Sequence, residues 1–120
     1  MNTLTFLENE RDTVLNVIED NCKAANNSFL YYLHERDVFD IEAFTKLLDC
    51  INVLEEKQED MLEQLYFIQN ETLKHIIYHF DPNDMSRITN LPDDYWDYLL
   101  DLENTIGNFK RMYFGDNHEQ

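Results

Sequence analysis

The chain has 120 residues, with 25 acidic side chains against nine basic ones and a formal net charge of −16. A surface of this charge repels nucleic acid and anionic membranes, so we expect direct binding of neither. Only two glycines and two prolines occur, and because an all-β protein needs frequent turns, the composition favours long helices in one domain, residues 1–120.

The first residues, MNTLTFLENERD, lack the basic start and apolar run of a signal peptide. No window approaches the roughly 18 consecutive apolar residues that a membrane span needs. The two cysteines, Cys22 and Cys50, lie beside apolar helix positions, and we expect both to be free buried thiols. A cytoplasmic location in a reducing compartment is therefore expected.

The first third of the chain has an amphipathic helical pattern. From Thr3 onwards, apolar residues recur three and four positions apart. The side chains of residues 26–28, Asn-Asn-Ser, compete for backbone hydrogen bonds and weaken a helix. The apolar phase nevertheless continues beyond them. The pattern predicts either a kinked helix over about 3–36 or two helices that meet at Asn27.

Residues 41–80 contain no Gly or Pro and form the most regular part of the chain. Their apolar side chains fall on one heptad-like stripe: Phe44, Leu47, Leu48, Ile51, Leu54, Met61, Leu62, Leu65, Ile68 and Ile76. A single helix of this length would measure roughly 60 Å, more than the roughly 35–40 Å across a compact domain of this size. We favour a continuous or gently bent helix, with a break around Glu55–Asp60 as the alternative. An overhanging apolar stripe would permit a homodimer.

The remaining sequence signals mark where the helices are expected to start and stop. Asp40 is expected to cap the second helical arm, and residues 81–84, Asp-Pro-Asn-Asp, to stop it. Pro92 is expected in the first turn of a third helix that ends near Gly115. Gly107 inside that helix would be explained by a close helix crossing. The predicted fold is all-α: a long antiparallel helical hairpin (about 3–36 and 41–80) with a third major helix (about 92–114) packed on it.

Chemistry-bearing patterns are sparse. Glu71, His75 and His79 step by four along one helix, but Ile76 stands where a zinc-protease helix carries its catalytic Glu. The chain has no Gly-rich phosphate loop and no Ser in an elbow motif. We therefore expect no catalytic residues, no metal, no cofactor and no enzyme activity.

The run from residue 93 to residue 101, DDYWDYLLD, is the strongest candidate for a functional surface. Four-residue spacing predicts one acidic ridge with a second acid beside it, and the two tyrosines are expected to be exposed contacts. Trp96 is expected in the core, because large aromatic residues are mostly buried. From Asp81 to Glu103 there are seven acids against one base. The predicted partner-binding residues here are Asp93, Asp94, Tyr95, Asp97, Tyr98 and Asp101.

A second acidic patch lies in the middle of the expected long helix. Several of its members are like-charged neighbours four residues apart, an arrangement that destabilises a helix. A loss of helix stability that is tolerated in two separate patches suggests that these acids have a function in binding. The residues of this patch are Glu55, Glu56, Glu59, Asp60 and Glu63.

In size, acidity, helicity and the acid–aromatic run Asp93–Asp101, the chain resembles the acidic α-helical immunity proteins of bacterial nuclease toxins. The resemblance is one of general character and includes no signature motif, so it transfers no functional residue. It implies an immunity protein that masks the positively charged active cleft of a basic toxin domain. The alternatives are a phage-type DNA mimic that inhibits a nucleic-acid-binding protein, and a helical structural or adaptor protein that self-associates.

Overall fold

The computed structural model describes residues 3–55, 59–84 and 87–115, with the backbone alone for residues 3–10 and 59. These residues form five α-helices and no strand, which confirms the predicted all-α helical bundle. The helices are α1 Thr3–Lys23, α2 Phe29–Arg36, α3 Ile41–Asn52, α4 Glu59–Phe80 and α5 Tyr95–Phe114.

The first arm of the predicted hairpin consists of two helices, α1 and α2. This confirms the second of the two alternatives, two helices that meet near Asn27. Ala24, Asn26 and Asn27 adopt positive φ angles between 50° and 61°, which a continuing helix does not allow. Ser28 then caps α2 by accepting a hydrogen bond from the Tyr31 amide at 3.2 Å. The buried Asn21 joins the two helices, because its amide donates to the Val17 carbonyl and accepts from the Leu30 amide.

The favoured continuous helix over 41–80 is wrong. Helix α3 begins at the predicted cap, with the Ala43 amide 2.8 Å from the Asp40 carboxylate, and it ends at Asn52. The Leu54 amide then bonds to the Ile51 carbonyl at 3.2 Å, a tightened last turn that takes the chain off the helix axis. The side chain of Leu54 is only 3% exposed. Burial of this side chain therefore accompanies the break. The break lies between Asn52 and Glu59, close to the alternative prediction of a break around Glu55–Asp60.

The helices surround a single core. Helices α1 and α5 each pack against both α3 and α4, whereas α3 and α4 share no close approach in the described part of the chain. The four long helices therefore form a ring in which α3 and α4 occupy opposite corners, and α2 packs on α1, α3 and α4. The predicted stripe supplies much of the core. Its buried members are Phe44, Leu47, Ile51, Leu54, Met61, Leu65, Ile68 and Ile76.

An aromatic cluster joins α2, the α2–α3 turn, α3 and α5. The ring of Phe29 lies 5.0 Å from the rings of both Phe39 and Phe44, edge to face. Tyr98 of α5 completes the cluster, with its ring 5.4 Å from the same two phenylalanines. Asn90 fastens the α4–α5 connection to this turn, since its amide accepts from the Phe39 amide at 2.6 Å and donates to the Phe39 carbonyl at 3.1 Å.

Helix α5 begins three residues later than predicted. The Tyr95 amide bonds to the Pro92 carbonyl at 3.1 Å, so Pro92 lies in the turn before the helix. The stop predicted after α4 is confirmed: Phe80 is its last residue, and the Asp81 carboxylate accepts from the Asn83 amide in a tight turn. Gly115 follows the last residue of α5, as predicted.

No close helix crossing lies at Gly107. A Cβ atom added there would meet only the Arg111 Nη1 atom at 3.5 Å, which is ordinary contact. The glycine therefore costs α5 stability without a packing reason that the described residues supply.

We expect Gly107→Ala to stabilise the protein by about 1 kcal/mol, because alanine has the higher helix propensity and space for its methyl group. The measurement is the free energy of unfolding in urea. Gly115→Ala is the matched control: its φ of 75° makes alanine strained there, with an expected loss of roughly 1 kcal/mol. A destabilised Gly107→Ala variant would contradict this account of α5.

Candidate functional site

Tyr98 marks the side of α5 that faces the core. Its half-buried ring contacts Phe39 and Phe44, and the fully buried Leu102 and Ile106 continue the same face one and two turns along. Tyr98 was predicted to be an exposed contact. The structure instead makes most of its ring part of the core, and a partner contact through its exposed remainder stays a prediction.

The expectation that Trp96 is a core residue is wrong, because its side chain is 62% exposed. Trp96 and Tyr98 are two positions apart, which separates them by about 200° around a helix. Burial of Tyr98 therefore turns Trp96 to the solvent. Leu100, one turn after Trp96, is exposed as well. The outer side of α5 thus has an apolar centre that the sequence analysis missed.

Four carboxylates lie beside this apolar centre. Asp93 and Asp94 lie in the turn that precedes α5, and Asp97 and Asp101 follow on its first turns. All four residues are exposed. Because α5 begins only at Tyr95, the predicted helical ridge is reduced to Asp97 and Asp101, with Asp93 leading into it. We call this surface, Asp93, Asp94, Trp96, Asp97, Leu100 and Asp101, the α5 acidic face.

The structure gives one of these acids an internal purpose, because Asp97 lies in the first turn of α5. Carboxylates in the first turn of a helix interact favourably with its dipole, by about 0.3–1 kcal/mol each. Asp94 makes no side-chain capping hydrogen bond, and none of the four carboxylates is held by a side-chain hydrogen bond or ion pair within the described ranges. The groups are therefore available to an external partner.

Tyr95 lies at the junction of α4 and α5. Its ring is 5.5 Å from the ring of Phe80, the last residue of α4. The side chain is half-buried and packs against the core, so its predicted exposure is only partial. The contact shows that the end of α4 and the start of α5 are neighbours.

The second predicted patch is not joined to the α5 acidic face. Glu55, Asp60 and Glu63 are exposed, whereas Glu56 and the side chain of Glu59 lie outside the described residues. Since α4 and α5 are adjacent and antiparallel, the patch at the start of α4 lies on the order of 20 Å from Asp101.

The stability argument for the second patch is reduced to one pair, because only Glu59 and Glu63 lie four residues apart within α4. Because the helix breaks between Asn52 and Glu59, Glu55 is not a helical neighbour of the acids that follow. Asp60 lies in the first turn of α4, where the helix dipole favours negative charge. The position of Asp60 thus has a structural explanation, and a partner contact there stays a prediction.

A histidine pair lies between α2 and α4. The rings of His34 and His75 are 5.7 Å apart, and they line a cavity of about 120 Å³ together with Cys22 and Glu71. These side chains are of metal-binding types. No group of three in the described part of the chain is close enough to hold a metal ion. Burial, with a contribution from the charge of His34, lowers the pKa of His75, and Glu71 and Asp37 oppose this effect.

The cysteines are free thiols, with Cys50 buried and Cys22 half-buried. Burial raises the pKa of both thiols, and a raised pKa keeps a thiol protonated and poorly nucleophilic. Cys22 also donates a long hydrogen bond to the Gln64 carbonyl at 3.8 Å. The two thiols therefore have the surroundings of structural residues.

A groove of about 670 Å³ lies between the α1–α2 junction and α3. Its lining includes Asp20 and Asp40, but both carboxylates already have partners. Asp20 accepts from the Asn26 amide at 3.0 Å, and Asp40 caps α3. The groove has mixed polar and apolar walls, and these two carboxylates serve the fold through their hydrogen bonds.

The geometry defines an acidic helical bundle with an acid-and-aromatic surface on α5. No protein-family model, curated protein or solved structure shows a significant match to this chain. Among the described residues, no helix combines the length and the apolar character needed to cross a membrane.

Truncation at the two aromatic positions should have opposite consequences. We expect Tyr98→Ala to lower the free energy of unfolding by about 2–3 kcal/mol, because it removes a ring packed on two others. Trp96→Ala should change it by less than about 0.5 kcal/mol, as is usual at the surface. Urea unfolding followed by circular dichroism measures both. A Trp96→Ala variant as unstable as Tyr98→Ala would show that α5 is rotated differently.

The histidine pair predicts a pH dependence. Since the pKa of His75 is lower in the folded state than its ordinary value of 6.5, the unfolded chain binds the proton more strongly. Its contribution therefore destabilises the fold as the pH falls below that value and vanishes well above it.

We expect His75→Gln to become more stable relative to wild type between about pH 7.5 and about pH 5, in proportion to the pKa difference. The measurement is the free energy of unfolding of both proteins at both pH values. Comparison of the two proteins at the same pH values removes the contributions that they share. A difference that does not vary with pH would contradict the account.

Proposed function

We propose that this protein is an acidic, cytoplasmic inhibitor of a basic partner protein, of the immunity-protein type that neutralises a bacterial nuclease toxin. The observation that carries the proposal is the exposure of Trp96, at 62%, among the exposed carboxylates of the α5 acidic face. The proposed action is to cover the positively charged cleft through which the partner binds its substrate.

An exposed tryptophan supports a contact role. Tryptophan is among the residues that contribute most to the affinity of protein interfaces, and such residues lie near the centre with polar groups around them. The α5 acidic face has this layout, with Trp96 and Leu100 beside Asp97 and Asp101. Its position on a helix fixed by core contacts means that little ordering is needed on binding.

The charges support a cationic partner. Carboxylates pair with Arg in two-pronged, charge-assisted hydrogen bonds, and with Lys as a point charge. The net charge of −16 attracts a basic protein over long distances and raises its association rate. The same field repels nucleic acid, so the partner's substrate cannot bridge the two proteins.

The proposed mechanism assigns separate tasks to the two kinds of residue. Asp97 and Asp101 pair with Arg and Lys side chains that line the partner's cleft. Trp96 packs at the centre and excludes water, which strengthens the surrounding ion pairs. The bound bundle then blocks the cleft by its volume and replaces the negative charge of the substrate by its own.

The DNA-mimic alternative has less support. It requires carboxylates along an extended surface, which the continuous hairpin would have supplied. Both arms of the hairpin are broken, and the two acidic patches lie at opposite ends of the α4–α5 pair. A compact docking face matched to one partner needs only the α5 acidic face.

The test is charge reversal with a charge-matched control. The partner is first captured from the native host with the wild-type chain and shown to be a basic protein whose activity the chain inhibits. We expect the double variant Asp97→Lys, Asp101→Lys to bind this partner at least about 100-fold more weakly, since it replaces two attractions by repulsions. Titration calorimetry at about 50 mM and about 300 mM salt gives the affinities and their salt dependence.

The control variant carries Asp12→Lys and Asp49→Lys, two exposed positions on α1 and α3, and has the same net charge. It should keep affinity within about threefold. Equal loss in both variants would mean that net charge alone drives binding, which would overturn the assignment of the α5 acidic face. Capture of no basic protein would overturn the proposed function itself.

A further inference from the structure

Helix α4 carries a second apolar stripe in addition to the buried one. Six of its large hydrophobic residues are exposed, and four of them recur on one side of the helix, including Ile77 at 64% and Phe80 at 56%. Positions i, i+7, i+11 and i+14 fall on one side of a helix. The exposed stripe consists of Tyr66, Leu73, Ile77 and Phe80.

The exposed stripe runs along the side of α4 that borders α5. Phe80 belongs to the stripe, and its ring contacts Tyr95 at the start of α5. Trp96 is the next residue and Leu100 lies one turn further, both exposed. Because the two helices pack against each other, the exposed side chains flank one seam. We call Tyr66, Leu73, Ile77, Phe80, Trp96 and Leu100 the α4–α5 apolar face.

Acidic side chains border this face. Asp97, Asp101 and Glu103 are exposed on α5, and Glu63 is exposed near the start of α4. A contiguous apolar face with a charged rim is typical of a protein interaction site. A second copy of this chain would bring two like-charged rims together, with a net charge of −16 on each molecule. The charge of the rim therefore favours a cationic occupant.

We propose that the α4–α5 apolar face binds one amphipathic, basic α-helix of the partner protein. Its apolar side would lie along the seam, and its Lys and Arg side chains would reach the acidic rim. The 14 steps from Tyr66 to Phe80 span about 21 Å, which corresponds to a partner helix of about four turns. This mode is helix-in-groove recognition, read by anchors three and four residues apart. The inference rests on the proposed function for the basic partner and adds the form of its binding element.

The probe for the test is a synthetic peptide of about 18 residues made of Leu and Lys, with Leu at i, i+3, i+4 and i+7 so that one side is apolar. The control peptide has the same composition in an order that spreads Leu around the helix. Trp96 is the only tryptophan of the chain, so its fluorescence reports contact directly. We expect a blue shift and saturable binding with the amphipathic peptide, and binding at least about tenfold weaker with the control.

Two variants place the binding on the seam. Ile77→Ser should weaken binding of the amphipathic peptide by about tenfold or more, because it removes an exposed anchor. Val53→Ser changes an apolar residue of similar exposure, 60%, on the loop after α3, and should leave the affinity within about twofold. Leu100→Ser is a second seam variant with the same expectation as Ile77→Ser. Circular dichroism confirms that each variant is folded.

Three results would overturn the inference: equal binding of both peptides, unchanged affinity in both seam variants, or a homodimer of the free chain that Ile77→Ser disrupts. These results leave the charge-reversal test untouched. If charge reversal weakens binding of the partner while the amphipathic peptide does not bind, the proposed function stands, and the partner binds through a structural element other than a basic helix. If the peptide binds through Ile77 while charge reversal has no effect, helix binding stands and the inhibitor role falls.

Discussion

The packing of Tyr98 against Phe39 and Phe44 is the contact on which the outer surface of this protein depends. It fixes the rotation of α5 about its own axis, since the ring can enter the aromatic cluster in one orientation of the helix. Asn90 fixes where the helix begins, by its two hydrogen bonds to the Phe39 backbone. Once these contacts are made, Trp96 and the neighbouring carboxylates have no place except the surface.

The local features of the fold were predictable from the sequence. Asp40 caps α3 and Asp81 ends α4 because short polar side chains and proline act on the backbone beside them. The break before Leu54 was not predictable in this way. An unbroken apolar phase is compatible with one helix or with two, and the choice depends on contacts with α1, α2 and α5 that lie far away in the sequence.

The acidic residues of the candidate site were predictable from the sequence, and its aromatic residues were not. The acids of residues 93–101 are visible in the sequence, and the structure leaves them exposed. Two sets of apolar residues recur along α5 at helical spacing, and the sequence analysis placed the set with Trp96 in the core. It therefore expected Trp96 to be buried and the two tyrosines to be exposed, whereas Trp96 is exposed and both tyrosines are half-buried. The phase that includes Tyr95, Leu99, Leu102, Ile106 and Phe109 is the longer one, and counting its members would have found the buried side. The exposed stripe of α4 was missed because the sequence analysis followed the heptad-like stripe alone and gave the apolar residues outside that stripe no role.

The position of α3 and α4 at opposite corners of the bundle has a consequence for how the chain folds. Neighbouring helices in sequence usually form a hairpin that can nucleate folding by local contacts. In the described part of the chain, these two helices are instead bridged by α1, α2 and α5. Burial of α3 and α4 therefore depends on contacts with helices such as α1 and α5, which are distant from α4 and α3 in sequence, so the bundle is expected to fold more slowly than its helical content suggests.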